Sequence, residues 1–282
     1  MKIGIVTRSM PAEFTNQQAA ETMAAMGFTS TELCFTQSDS SYWCYNGRTD
    51  LSDLTPQRVR EIVDIYRNKG IQVTALGVFT NLIEHDDQLR RQNLDRMIRF
   101  MDYAQFAGVP YVSSECGFDP QCRGVQVSRY ESDVALLADS LTTLCAAAEE
   151  RDVSLALECC VIDVIPSAKR ARDLIRQVGS DRLKVLLDPA NYIANSDEED
   201  MFKYLAPHIA YFHGKDRMVN DTYGRLVGDG EINWPLFLAL RDRYAPDAPF
   251  ILEYCNKDNA QETKERVEQF YEQSKSVTLP GR

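Results

Sequence analysis

Four residues in the second half of the chain each close a short apolar run. Glu158 follows Leu155-Ala156-Leu157, Asp188 follows Val185-Leu186-Leu187, His213 follows Ala210-Tyr211-Phe212 and Glu253 follows Phe250-Ile251-Leu252. An ionisable group at the end of a buried strand is expensive to desolvate unless something pairs with it. A divalent cation shared by three carboxylates and one imidazole would remove that cost. The mix of hard oxygens and one nitrogen suits Mn²⁺, Mg²⁺, Co²⁺ or Zn²⁺ without choosing among them. Glu32 and Glu115 close runs of the same kind in the first half of the chain; each, taken singly, is equally a cap for the next helix or an acceptor for a loop. Of the other two histidines, His85 lies between Glu84 and Asp86 and is expected at the surface, and His208 precedes the seventh apolar run and is expected in a loop or helix terminus.

The elements that must carry these residues follow from the apolar runs. They are Ile3 to Val6, Ser30 to Phe35, Ile71 to Gly77, Tyr111 to Ser114, Ser154 to Cys160, Leu183 to Leu187, Ile209 to His213 and Pro249 to Tyr254, and several lack the alternation of a half-exposed strand. Helical patterns separate most of them. Thr55-Pro56 reads as an N-cap with proline at the first helical position, Val59, Ile62, Val63 and Tyr66 share a face, and Gly70 supplies the stop. Leu94, Met97, Ile98 and Met101 precede Gly108. Val134, Leu137, Leu141 and Leu144 form another stripe, Ala171, Leu174, Ile175 and Val178 precede Gly179, and Trp234, Phe237 and Leu240, then Val267 and Phe270, mark the last two. Such stripes are core faces. Strand and helix alternating eight times predicts an α/β fold, a single (β/α)₈ TIM barrel over residues 1–282, with its site at the carboxyl ends of the strands. A doubly wound sheet fits less well, because the first turn, Thr7 to Pro11, lacks the glycines of a dinucleotide site.

Composition narrows the function. Of 282 residues, 42 are Asp or Glu and 31 Lys or Arg, a formal charge of −11 that disfavours nucleic acid or an anionic membrane as partner. No apolar run reaches eighteen residues. The start, Met1-Lys2-Ile3-Gly4-Ile5-Val6, passes into Arg8 and Pro11 without a signal-like stretch, so the eight cysteines are expected to be thiols in a cytoplasmic protein. There is no Cys-x-x-Cys pair for zinc, and the adjacent Cys159 and Cys160 point to opposite faces of a strand.

Glu-Cys-Cys at 158 to 160, Leu-Leu-Asp-Pro-Ala-Asn at 186 to 191, Phe-His-Gly-Lys-Asp at 212 to 216, Gly-Asp-Gly-Glu-Ile-Asn-Trp at 228 to 234 and Ile-Leu-Glu-Tyr at 251 to 254 together resemble the xylose isomerase-like TIM-barrel superfamily, the sugar phosphate isomerase/epimerase family. The resemblance runs along essentially the whole chain. It implies that Glu158, Asp188, His213 and Glu253 hold one divalent metal ion and that Glu158 and Glu253 also move protons. The implied reaction is isomerisation or epimerisation of a small ketose or related keto-polyol, by α-proton abstraction through a metal-stabilised enediolate. A dehydratase acting on a keto-polyol such as an inosose shares that first step and is the alternative. Asn191 stands where many members have a histidine, and the strand-three and strand-four histidines of the endonuclease members are replaced by Gly77 to Phe79 and Glu115-Cys116, so DNA repair is not expected.

Around this centre, Asn191, Lys215, Glu115, Trp43 and Arg217 are the expected contacts for a carbohydrate or polyol substrate. Lys215 either reaches a substrate oxygen or is salt-linked to Asp216. The polar segment Ser38 to Thr49 carries Tyr42, Trp43 and Tyr45 and follows strand two, which puts it on the catalytic side as a cover for a sugar's apolar edge, as a small satellite core, or as a subunit contact in a homo-oligomer; Phe79 and Phe118 are further wall candidates, and Tyr42 a candidate proton donor for the dehydratase.

Overall fold

A computed structural model describes residues 1–118 and 125–279. Eight strands, β1 (Ile3–Ile5), β2 (Ser30–Leu33), β3 (Gln72–Gly77), β4 (Tyr111–Glu115), β5 (Ser154–Glu158), β6 (Leu183–Leu187), β7 (Ile209–Gly214) and β8 (Phe250–Leu252), form one parallel sheet in the order β1-β8-β7-β6-β5-β4-β3-β2. Its two ends meet: Thr29 N donates to Ile3 O at 3.0 Å and Thr31 Oγ1 to Ile5 O at 2.6 Å, so the sheet closes into a single-domain barrel. Eight α-helices surround it: α1 (Asn16–Ala25), α2 (Pro56–Arg67), α3 (Asp87–Ala107), α4 (Tyr130–Glu150), α5 (Ala168–Val178), α6 (Glu198–Leu205), α7 (Trp234–Tyr244) and α8 (Ala260–Ser274).

The helices that sequence periodicity marks are present. Thr55 caps α2 through Arg58 N, and α3 and α5 end on Gly108 and Gly179, both at φ 67°. Gly70, at φ 77°, stops α2 as expected: past Arg67 the chain runs through Asn68 and Lys69, Gly70 N donates to Arg67 O at 2.9 Å and Ile71 N to Tyr66 O at 3.0 Å, the same pair of bonds that ends α3 at Gly108. The apolar stripe does not reveal α1, whose buried face is Ala19, Ala20 and Met23 behind a Thr15–Gln18 capping box, or α6, which is eight residues long. On α5, Leu174 is 3% exposed between the helix and the sheet, where truncation to alanine would cost about 2–5 kcal/mol.

Two layers of apolar packing explain the placement of the site. Most buried side chains lie between strands and helices. A smaller group, Val6, Ala75, Ala156, Leu186, Ala210, Tyr211 and Ile251, fills the barrel interior. Side chains alternate across a strand, so the residue two positions after an inward one also points inward. Ala156 leads to Glu158, Leu186 to Asp188, Tyr211 to His213 and Ile251 to Glu253.

Candidate active site and metal centre

Glu158, Asp188, His213 and Glu253 are all buried, and one ligand atom from each lies within 4.8 Å of the others. In three of them the protein holds one atom and leaves the other facing the cluster. Asp188 Oδ1 accepts from Ala190 N at 2.9 Å, capping the turn Pro189–Asn191, and Oδ2 is left over. Glu253 Oε1 is ion-paired with Arg8, and Oε2 is left over. His213 Nε2–H donates to Glu32 Oε2 at 2.8 Å, which leaves Nδ1 3.5 Å from Glu158 Oε1 and 3.7 Å from Glu253 Oε2. His213 Nδ1, Asp188 Oδ2 and Glu253 Oε2 are buried without a well-formed hydrogen bond. The two carboxylate oxygens are faced by the Lys215 ammonium and Nδ1 by carboxylates alone. Three buried ligand atoms from three strand ends thus converge where a divalent cation could take the place of that positive charge, and the donor set fits a metal.

Glu32 is fully buried and supports this centre from below. Its Oε2 also accepts from Tyr211 OH at 2.8 Å, and Cys34 Sγ lies 3.7 Å from Oε1. Gly77 makes room for it, since a Cβ there would collide with Glu32 Oε1. A carboxylate on the far nitrogen of a ligating histidine fixes its tautomer and direction. Read from sequence, Glu32 was equally a cap; the structure makes it the residue that aims His213.

Charge sets the protonation of the group. Burial would raise the Glu158 carboxyl, but His213, Lys215 and Arg8 outweigh burial and hold it at about 2. Burial raises Asp188 to about 6 against the pull of Lys215. For His213, burial favours the neutral ring, yet Glu32 and Glu158 prevail and raise the imidazole to about 9.

The neighbours expected from sequence take specific positions. Asn191 Nδ2 donates to Glu158 Oε1 at 2.8 Å, while its Oδ1 accepts from Arg217 Nη2 at 3.1 Å. Asn191 and Arg217 thus form a buried chain that orients Glu158. Lys215 is not salt-linked to Asp216: its Nζ lies 2.7 Å from Asp188 Oδ2 and 2.9 Å from Glu253 Oε2. Asp216 instead collects Arg217 N, Gly228 N, Ile232 N and Trp234 Nε1, tying the Gly228-Asp229-Gly230 loop to the barrel. Glu115 pairs with Glu158 in the β4–β5 register and accepts from Tyr45 OH at 2.6 Å. Burial and then the Glu158 charge push its carboxyl to about 7.

Tyr45 belongs to an aromatic wall. It stacks on Trp43 with centroids 6.1 Å apart and lies 6.1 Å from Phe118, and the Arg8 guanidinium sits 5.8 Å from the Trp43 ring and 5.2 Å from that of Phe79. Trp43 Nε1 is buried without a partner. Tyr42 does not share this place; it packs on the outer core, with its carbonyl held by Arg96 and Thr49 and its hydroxyl toward Asp53, so it is no proton donor for the site. His208 closes a 3₁₀ turn as expected, and His85 is half-exposed but pairs with buried Asp133 at 2.9 Å. Sequence reading missed Arg8 and Asp163. Arg8 lies in the 3₁₀ turn Thr7–Ser9 that follows β1, where strand alternation no longer applies and no sequence signal marks it. Asp163 is buried in the loop after β5, where burial and the Glu115 charge raise its carboxyl well above the usual range.

The family described as Xylose isomerase-like TIM barrel matches residues 20–273. The chain belongs to the xylose isomerase-like TIM-barrel family. No curated protein matches the sequence. Among solved structures, this family member is similar to a D-tagatose 3-epimerase-like protein at a TM-score of 0.78 and 16% identity, covering 98% of each chain. It is similar to an IOLI protein with a binding zinc atom at 0.77 and 18%, covering 99% of this chain and 100% of that one. A xylose isomerase-like TIM barrel/4-hydroxyphenylpyruvate dioxygenase fusion protein gives 0.72 and 21% over all of this chain, which spans 45% of that protein. These likenesses establish a shared barrel. They accord with the metal-capable cluster that this family member carries at its centre.

Proposed function

We propose that this protein is a divalent-metal-dependent isomerase or epimerase of a small ketose or related keto-polyol. The observation that carries the reading is the gathering of Glu158 Oε1 and Glu253 Oε2 around His213 Nδ1, at 3.5 and 3.7 Å, which brings two carboxylates to one position suited to a cation. Bound there by Glu158, Asp188, His213 and Glu253, the metal would polarise the substrate carbonyl as a Lewis acid. The chain's own residues do the rest. One glutamate takes the proton from the carbon beside the carbonyl, and the other returns one to the opposite face or to the neighbouring carbon. Asn191 and Arg217 hold Glu158 in line, Arg8 holds Glu253, and the wall of Trp43, Tyr45, Phe79 and Phe118 keeps water from the exchanging proton. The printed description of the D-tagatose 3-epimerase-like structure supports the same chemistry.

A second reading, dehydration of a keto-polyol such as an inosose, is favoured by Glu115. Poised at about 7 beside Glu158, its carboxyl suits a proton donor to a departing hydroxyl. Incubation of the protein with free ketoses, inososes and their phosphates in D₂O, with Mn²⁺ or Co²⁺ added, tests both. Deuterium in an isomeric product supports the first reading, and loss of water supports the second. No exchange into any of them rejects both. The seven described cysteines are free thiols, in keeping with a reducing compartment, and a cytoplasmic location is part of the proposal.

A further inference from the structure

Lys215 stands two positions after His213 on β7, and strand alternation sends both side chains into the barrel mouth. The ammonium is 4% exposed as a residue and lies against two of the atoms that would bind a metal, 2.7 Å from Asp188 Oδ2 and 2.9 Å from Glu253 Oε2, with Glu158 Oε1 at 4.0 Å. It therefore neutralises the same carboxylates that a divalent ion would bridge. A dication coordinated at about 2 Å by these oxygens would sit close to Nζ, where two positive charges in a buried site repel strongly. The side chain also has somewhere to go: Nζ is 4.9 Å from the ring of Tyr254, which is 55% exposed and follows Glu253 at the rim.

We propose that Lys215 is a built-in counter-cation that competes with the divalent metal for Asp188 and Glu253, stabilising the metal-free barrel and swinging toward Tyr254 when metal enters. The inference rests on the metal reading above and deepens it. The buried acids are neutralised in both states, first by the ammonium and then by the dication. The released ammonium is then a cation facing the substrate side, so Lys215 couples metal loading to the assembly of the substrate pocket.

Mn²⁺ alone serves as the probe. Chelator-treated wild type, K215M and K215Q are titrated by calorimetry and melted with and without saturating Mn²⁺. Competition predicts Mn²⁺ binding tighter by at least about tenfold in both variants. It also predicts a lower melting temperature for the metal-free variants and a much smaller difference once Mn²⁺ is bound. Because the variants could fail to fold without metal, the crystal structure of Mn²⁺-saturated wild type is the second measurement. Lys215 Nζ should lie beyond 4 Å from Asp188 Oδ2 and Glu253 Oε2, the outer limit for an ion pair. Equal or weaker Mn²⁺ binding in the variants, or an ammonium still within 3 Å of both oxygens beside bound Mn²⁺, overturns the proposal. No Mn²⁺ binding by any of the proteins removes the metal reading and this inference together. Competition without turnover of any ketose leaves the inference standing and removes only the substrate reading.

Discussion

Glu32 and His213, on strands β2 and β7, meet across the barrel interior with Oε2 and Nε2 2.8 Å apart, both side chains fully buried. Because Tyr211 OH donates to the same oxygen at 2.8 Å, the carboxylate is held from two sides and the imidazole can rotate little. Supporting partners of this kind are typically worth about 10–100-fold in metal affinity. Glu32→Gln keeps an acceptor but loses the charge and adds a donor that competes for Tyr211. We expect it to weaken Mn²⁺ binding by about that factor while the fold is retained. Unchanged affinity by calorimetry would show that Glu32 only fills the barrel.

The same pair sets a pH dependence. His213 is raised to about 9 from an ordinary 6.5, so the folded, metal-free protein holds a proton there that the unfolded chain releases. The unfolded state binds fewer protons between those values, and stability must fall as pH rises from 6.5 through 9. The stabilisation is fully present below 6.5. Denaturant unfolding of chelated protein should give a loss of up to about 3 kcal/mol between pH 6 and pH 9.5. His213→Asn should flatten that slope. Metal uptake displaces the same proton, so Mn²⁺ affinity should climb with pH across the same window.

Ionisable residues closing apolar runs made the centre of the site legible. Glu158, Asp188, His213 and Glu253 each extend an inward-facing run by two positions, and apolar strands without alternation announce a sheet covered on both faces. What sequence does not carry is pairing across the barrel. Lys215 has Asp216 beside it in the chain, yet its partners Asp188 and Glu253 come from other strands, while Asp216 turns to three backbone N–H groups of the following loop and the indole N–H of Trp234 on α7. Tyr42 and Tyr45 are three residues apart in one polar loop, and only the path of that loop puts Tyr45 on Glu115 and Tyr42 on the outer core. Helix α1 escapes a stripe analysis because its buried face is Asn16, two alanines and a single large apolar residue, Met23.

Glu115 supplies a prediction with the sign set by an acid. Its carboxyl rises from 4.5 to about 7, chiefly through burial and then through Glu158. Folding thus favours the protonated form, and the cost of ionising it appears as pH rises from 4.5 through 7. Glu115→Gln removes that cost while still accepting from Tyr45. The variant should gain stability relative to wild type at pH 8, and the gain should vanish near pH 4.5. A difference independent of pH, measured by denaturant unfolding at both values, would mean that Glu115 does not titrate in this range.

Glu158 and Glu253 have two separable jobs, and substitution distinguishes them. A glutamate that only holds metal should, as Gln, weaken affinity and recover much of its activity when metal is saturating. One that also transfers protons keeps its shape and one oxygen as Gln but cannot act as a base at neutral pH. General acid or base action is worth about 10² to 10⁴ in rate, well beyond a slight misplacement of metal. The surroundings of the two differ: His213, then Lys215 and Arg8, outweigh burial and leave Glu158 strongly acidic at about 2, whereas Glu253 sits between Arg8 and Lys215. We expect metal-saturated E158Q and E253Q both to stay low by that factor, with α-proton exchange into D₂O most impaired in the variant lacking the abstracting base. Solvent-deuterium exchange read by mass spectrometry is the deciding measurement, and near wild-type exchange and turnover in both variants would show that neither glutamate carries the proton.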